Sequence, residues 1–138
     1  MNNKFMELAV EQAKLAVEHN EVPVGATMVK DGKVLSFCHN RKNIDKVAVF
    51  HAEILCIIDA CKKLNSWHLD GCELYVTLKP CKMCLYALAE ARVNTVYYLL
   101  DSNYANNLNS SFGRINCISL NDDYNYKSML VSFFNCLR

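Results

Sequence analysis

Apolar residues recur at helical spacing from the start of the chain. Phe5, Leu8, Ala9, Ala13 and Ala16 share one face, which predicts an amphipathic helix over about residues 4–19. Pro23 follows closely, so the helix stops near His19-Asn20. The pattern then turns strand-like: Val22 to Lys30 and Lys33 to His39 are β-rich runs joined by Asp31-Gly32, the pair that best supports a two-residue hairpin turn. A polar loop, Asn40-Arg41-Lys42-Asn43, leads to a second helix starting near His51. Its expected buried stripe is Ile54, Ile57, Ile58, Cys61 and Leu64.

Leu74-Tyr75-Val76-Thr77 is short, mostly apolar and bounded by Gly71 and Pro80, as suits a strand covered on both faces. A third helix is expected from about Cys81 to Ala91 and another strand from Thr95 to Leu100. Asn, Ser and Gly dominate Ser102 to Arg114, which predicts an exposed loop, and Ile115 to Leu120 reads as a last, edge strand. Asn121-Asp122-Asp123 offers caps for a final helix that buries Tyr126, Leu130, Phe133, Phe134 and Leu137. Alternating strands and helices indicate a layered α/β sheet.

Length and composition narrow the setting. A chain of 138 residues that is 52% apolar has enough core for one domain, residues 1–138, with no repeats and no linker. Eight cysteines suggest a disulfide scaffold, but a chain this long and apolar needs no staples. Glu7 and Glu11 interrupt any signal-peptide apolar region, and no apolar run approaches the ~20 residues that span a bilayer. The expectation is a cytoplasmic protein with reduced thiols and no membrane partner. A net charge of +1 by itself indicates neither nucleic acid nor a membrane surface, so an RNA substrate requires clustered basic residues.

The candidate chemistry lies in Pro80-Cys81-Lys82-Met83-Cys84 read together with His51-Ala52-Glu53. Two cysteines where a strand passes into a helix can offer both sulfurs to one ion, and His51 can supply the third ligand of a zinc site that keeps one position open for water. The first turn of a helix also favours thiolate over thiol. Glu53 has poor geometry for the same ion but can reach a water there and move its proton to a leaving amine, the chemistry of hydrolytic deamination. Two helix positions lie about 200° apart, so His51 and Glu53 can face one ion only if His51 sits at the start of the helix. A redox Cys-x-x-Cys leaves His51 and Glu53 unexplained. A closed structural zinc site needs a fourth ligand from Cys56, Cys61, Cys72 or His68, of which Cys61 falls on the apolar stripe.

His-x-Glu followed by Pro-Cys-x-x-Cys resembles the zinc-dependent cytidine and deoxycytidylate deaminases. Glu21-Val22-Pro23-Val24-Gly25-Ala26, His39-Asn40-Arg41 and Leu74-Tyr75-Val76-Thr77-Leu78 resemble, within them, the adenosine deaminases that act on tRNA, as far as about Asp101. The resemblance implies a three-layer α/β/α fold with a central mixed sheet of about five strands. It also implies conversion of a wobble adenosine of a tRNA anticodon arm to inosine, by a homodimer with one zinc per subunit and no organic cofactor. On that resemblance His51, Cys81 and Cys84 hold the metal, Glu53 is catalytic, Val24 and Asn40 contact base and ribose, and Asp101 lies beside the RNA. The chain departs from the family at Lys79, where an acidic residue is usual, at Leu85-Tyr86, in the Asn-rich stretch after Asp101, and in a weakly basic tail. Two alternatives stay open. One is a deaminase of a free base or nucleoside, of guanine or cytosine type, and the other a non-enzymatic, zinc-stabilised RNA-binding module.

Overall fold

The computed structural model describes residues 3–101 and 110–136. Helix α1 (Lys4–Glu18) starts where the Asn3 side chain accepts the amides of Phe5 and Met6 at 3.0 and 3.2 Å, a polar cap for otherwise orphaned donors. It ends at Asn20, whose φ of 59° lies in the left-handed region. The Asn20 amide meets the Val17 carbonyl and the Glu21 amide meets that of Ala16, which closes the last turn. Strands β1 (Gly25–Lys30) and β2 (Lys33–His39) form the expected hairpin. Asp31 and Gly32 both have positive φ, 51° and 74°, as the favoured hairpin turn requires. Residues 22–24 stay outside the strand, where Pro23 has no amide to give a ladder.

A four-residue helix, α2 (Lys42–Asp45), occupies the stretch read as a polar loop. Then follow α3 (Ala52–Leu64), β3 (Cys72–Leu78), α4 (Lys82–Glu90), β4 (Thr95–Leu100), β5 (Ser110–Phe112), β6 (Ile115–Ser119) and α5 (Tyr126–Cys136). The strands make one sheet in the order β2-β1-β3-β4-β6-β5. β3, β4 and β6 run parallel, while β1 is antiparallel to both its neighbours and β5 to β6. The five expected strands are therefore present with a short sixth. That sixth corrects the reading of Ile115 to Leu120 as an edge: β6 is interior, and β5, from the stretch read as loop, is the edge. Residues 102–109 of that stretch lie outside the described residues.

Side chains alternate across the sheet and define its two faces. Met28, Leu74, Val76, Val96 and Tyr98 meet Ala52, Cys56 and Ala60 of α3 and Leu85 and Leu88 of α4. Val29, Tyr75 and Leu99 meet Met6, Ala9, Val10 and Ala13 of α1 and Tyr126 and Leu130 of α5. This is a three-layer α/β/α arrangement. Leu74 to Thr77 is buried throughout, as expected for a strand with helices on both faces.

Three expected helix faces are corrected. In α1 the innermost positions include Met6 and Val10, while Phe5 and Leu8 are half-buried. In α3 the buried residues are Ala52, Glu53, Cys56 and Ala60; Ile54, Ile57, Ile58, Cys61 and Leu64 are half-buried. Small side chains let α3 approach the sheet closely, and the Cys56 thiol donates to the Ala26 carbonyl of β1 at 3.3 Å. In α5 only Tyr126 and Leu130 are fully buried, and Phe134 is exposed; Leu137 lies outside the described residues. The expected cap does form, since Asp122 accepts the amides of Tyr126 at 2.8 Å and Lys127 at 2.9 Å.

Candidate active site

The starts of two helices converge beyond the carboxyl end of β3. His51 is the N-cap residue of α3, with extended backbone (φ −74°, ψ 155°), and Cys81 is the N-cap residue of α4 (φ −69°, ψ 170°). His51 thus lies at the helix start, the only position from which it and Glu53 could serve one centre. Cys84 follows on the first turn of α4. Such a location, outside the carboxyl ends of parallel strands, is where open α/β sheets bind ligands.

His51 Nδ1 stands 3.8 Å from Cys81 Sγ and 3.6 Å from Cys84 Sγ, and the three donor atoms lie within 4.8 Å of one another. Zinc bonds of ~2.0–2.3 Å at tetrahedral angles put donor atoms about 3.5–3.8 Å apart, so this set fits that ion. Among the described residues no fourth donor joins them. Cys56 bonds the Ala26 carbonyl, Cys61 the Trp67 carbonyl, and His68 pairs with Asp70. The closed structural site considered from sequence therefore lacks its fourth ligand within the described residues.

Burial, then the positive charge of Lys42, holds the His51 imidazole below its ordinary pKa and favours the neutral ligand form. Burial pushes the Cys84 thiol far up, helped by the charges of Glu53 and Cys81. The helix-start field opposes that shift, and a bound cation removes the proton outright.

Glu53 is buried, and its Oε1 has no hydrogen-bond partner among the described residues. Burial raises its carboxyl to about 7, against smaller opposing effects of its own backbone amide and of Cys84. A carboxyl poised near neutrality can both take and give a proton.

A cavity of about 350 Å³ opens over these groups, lined by His51, Glu53, Cys81, Val24, Asn40 and Lys79 among others. Asn40 accepts the Ala52 amide through Oδ1 at 2.8 Å, so it also fixes the start of α3. Cys84 lies behind the cavity wall, within the donor cluster. Asp101, at the end of β4, does not line the cavity; its Oδ2 stands 3.7 Å from Lys79 Nζ at the rim.

Sequence reasoning quoted Glu21 within the stretch that carries the resemblance but gave it no role. Its two oxygens accept the amides of Asn43 at 3.1 Å and Ile44 at 2.7 Å, and so hold α2 as one wall of the cavity. The signal was a glutamate two residues before Pro23, too common by itself to mark a site.

Fold and site together define a class, and the comparisons agree with it. The family model of the cytidine and deoxycytidylate deaminase zinc-binding region matches residues 1–100, and the chain belongs to that family. Within it, the chain is 49% identical over 94 residues to a tRNA-specific adenosine deaminase of Aquifex aeolicus. The matched stretch covers 68% of this chain and 62% of that protein, less than two thirds of its length. A solved structure from studies of A-to-I editing by tRNA:A34 deaminases at the wobble position is 36% identical. It superposes with a TM-score of 0.76 over 85% of this chain and 97% of that one. The guanine deaminase of Bacillus subtilis is also 36% identical, with a TM-score of 0.70 over 76% of this chain and 68% of that one.

Proposed function

We propose that the chain is a zinc-dependent adenosine deaminase that converts the wobble adenosine of a tRNA anticodon to inosine. One observation carries the chemistry: a buried carboxylate, Glu53, with one oxygen unpartnered among the described residues, shares a cavity with His51 and Cys81 of a three-donor metal site. Zinc bound by His51, Cys81 and Cys84 supplies an activated water. Glu53 would take one proton from the attacking water and give it to the purine ring nitrogen, then carry the proton of the new C6 hydroxyl to the amino group. The bond from C6 to nitrogen then breaks, ammonia leaves and the oxygen stays as the C6 carbonyl of inosine.

Val24 packs against the base from the segment before β1. Asn40, its Oδ1 already engaged by Ala52, turns its amino group toward the ribose. Asp101 contacts the RNA at the rim. A deaminase cannot reach its target atom inside a base stack, and an anticodon loop presents an unstacked base. The names of the A. aeolicus relative and of the tRNA:A34 deaminases support this substrate.

The working unit is a cytoplasmic homodimer of a single deaminase domain. Support for the dimer comes from apolar groups left exposed around the starts of α3 and α4: Val49, Met83 and Tyr86. No described helix is long and apolar enough to cross a membrane. The likeness to a guanine deaminase favours a second reading, deamination of a free base.

Incubating the zinc-loaded protein with an anticodon stem-loop, free adenosine, guanine and cytosine, and measuring ammonia and inosine, separates the readings. Inosine in the stem-loop is the expected result. Ammonia from guanine with no inosine in RNA overturns the proposal in favour of the second reading.

A further inference from the structure

Helix α2 forms one wall of the cavity above Glu53, to which it gives Lys42 and Asn43. Its own sequence does not hold it there. It has four residues, against the roughly 12 at which an isolated helix becomes even marginally stable. None of the four is buried, and Arg41 makes no side-chain bond at the N-cap. The Arg41 to Asp45 pair is exposed and ties the turn to itself, not to the body of the protein.

Glu21 supplies the missing attachment. The residue is only 1% exposed, and its carboxylate accepts the amides of Asn43 at 3.1 Å and Ile44 at 2.7 Å, the second at the length of a charge-assisted bond. Both are first-turn amides, which a helix leaves without an internal partner. The anchor itself is fixed, because the Glu21 amide closes α1 on the Ala16 carbonyl at 2.9 Å. A neighbouring contact, from the Asn43 side chain to the Asn20 carbonyl, is long at 3.5 Å. Val22 and Val24 line the same cavity, so residues 21–24 supply one part of its wall and fasten another.

We propose that Glu21 is a positioning residue of the deaminase: it holds α2 in place so that a nucleoside meets a finished wall, while the rate of the chemical step stays with Glu53 and the metal site. The proposal rests on the reaction proposed above and deepens it by separating binding from chemistry. Without this clamp the wall stands for only part of the time, and the apparent affinity falls by that fraction. Glu21→Gln keeps the size of the side chain but turns an amide donor toward one of the two backbone donors, which leaves that N–H without an acceptor.

The test uses zinc-loaded protein and an anticodon stem-loop, with KM and kcat read from inosine formation and the amide exchange of Asn43 and Ile44 read by NMR. In the parent both amides should exchange slowly, although α2 gives them no partner. In Glu21→Gln they should exchange at least ~10-fold faster and KM should rise roughly 10-fold, with kcat within about twofold and zinc content unchanged. Asp45→Asn, which breaks only the exposed pair within α2, should move KM by less than about twofold.

Fast exchange of these amides in the parent, or an unchanged KM in Glu21→Gln, would overturn the proposal. So would a fall in kcat at constant KM, since Glu21 would then act on the chemical step. An equal rise of KM in Asp45→Asn also counts against it, because the internal pair would then hold α2 as well. Should Glu21→Gln lose zinc or fail to fold, Glu21→Asp, which keeps the charge but ends one carbon short of the amides, takes its place with the same expectations. Slow exchange in the parent that is lost in the variant, with no inosine from either, removes the proposed reaction and leaves the clamp standing. Inosine formed with KM and exchange unchanged in the variant does the reverse.

Discussion

Around the amino ends of β4 and β6 lies a cavity of about 640 Å³, lined by Trp67, Asp70, Arg92, Asn94, Arg114 and Asn116. The cavity above Glu53, beyond the carboxyl end of β3, holds about 350 Å³. In the larger one Arg92 and Asp70 face each other. Arg92 lies 5.0 Å over the Trp67 ring and 3.9 Å from Asp70, which also pairs with His68. In the smaller one a buried carboxylate oxygen has no partner among the described residues, and two helix starts aim three metal-binding atoms at one point. Volume does not choose between them, nor does an unsatisfied buried group by itself, since the Thr27 hydroxyl of β1 is one too; a titratable one beside three metal-binding atoms marks the smaller cavity.

The largest effect that separates the two cavities should come from Glu53→Gln. This variant keeps shape and zinc but loses the proton carrier, so deamination should fall ~10²- to 10⁴-fold with metal content unchanged. Cys84→Ser should instead lose zinc, measured by atomic absorption, together with the stability that metal binding provides. Full turnover by Glu53→Gln would remove the distinction between the cavities.

Gly25→Ala tests the frame beneath the smaller cavity. A Cβ there would come within 1.9 Å of the Ala9 carbonyl and 2.6 Å of the Ala13 amide, both backbone atoms of α1. Helix and strand cannot both stay in place, and a destabilisation of about 3 kcal/mol or more is expected in denaturant titration.

Glu53 also ties the site to stability through pH. Folding raises its carboxyl from 4.5 to about 7, so the folded state holds that proton more tightly than the unfolded chain. The resulting stabilisation is full below pH 4.5 and is lost as pH rises through 7. In chelator-treated, metal-free protein, Glu53→Gln should therefore be more stable than the parent at pH 8, by up to about 3 kcal/mol, and equal to it at pH 4. An advantage independent of pH would show that ionisation of Glu53 is not the cause.

A smaller effect is expected where the back of the molecule supports the cavity wall. The Tyr126 hydroxyl donates to the Pro23 carbonyl at 2.6 Å in a buried contact, and so fastens α5 to the segment that carries Val22 and Val24. Tyr126→Phe leaves that carbonyl short of a donor, at about 1–2 kcal/mol. The KM for RNA should rise while zinc content holds.

Much of this was legible in the chain. Helix ends and the Asp31-Gly32 turn are local signals that local geometry realised, and the metal-binding trio, though split between two helices, is carried by two short motifs of distinctive residue type. What escaped depended on partners distant in sequence. Helix α2 is held by Glu21, some twenty residues earlier, and β5 exists only because β6 offers it a ladder. The inner face of α3 escaped for a different reason. Hydropathy points to the isoleucines, but close approach to the sheet selects Ala52, Cys56 and Ala60, and function places Glu53 among them. The pairing of Asp101 with Lys79 at the cavity rim is likewise a contact that neither residue announces alone.

The smallest effect belongs to the larger cavity. Arg92 follows the last turn of α4 with φ 66°, its amide bonded to the Ala89 carbonyl and that of Val93 to Leu88, a helix closure in which glycine is the usual residue. Arg92→Gly relieves a left-handed strain of about 1 kcal/mol. It also removes a cation over Trp67 and an exposed pair with Asp70, together worth a similar amount. The two terms oppose each other, so stability should stay within about 0.5 kcal/mol of the parent, whereas Arg92→Ala, which loses the contacts and keeps the strain, should cost about 1 kcal/mol. Deamination should be unaffected in both. A tenfold loss of turnover in Arg92→Gly with zinc retained would mean that the larger cavity takes part in the reaction, and the contrast drawn between the two would fail.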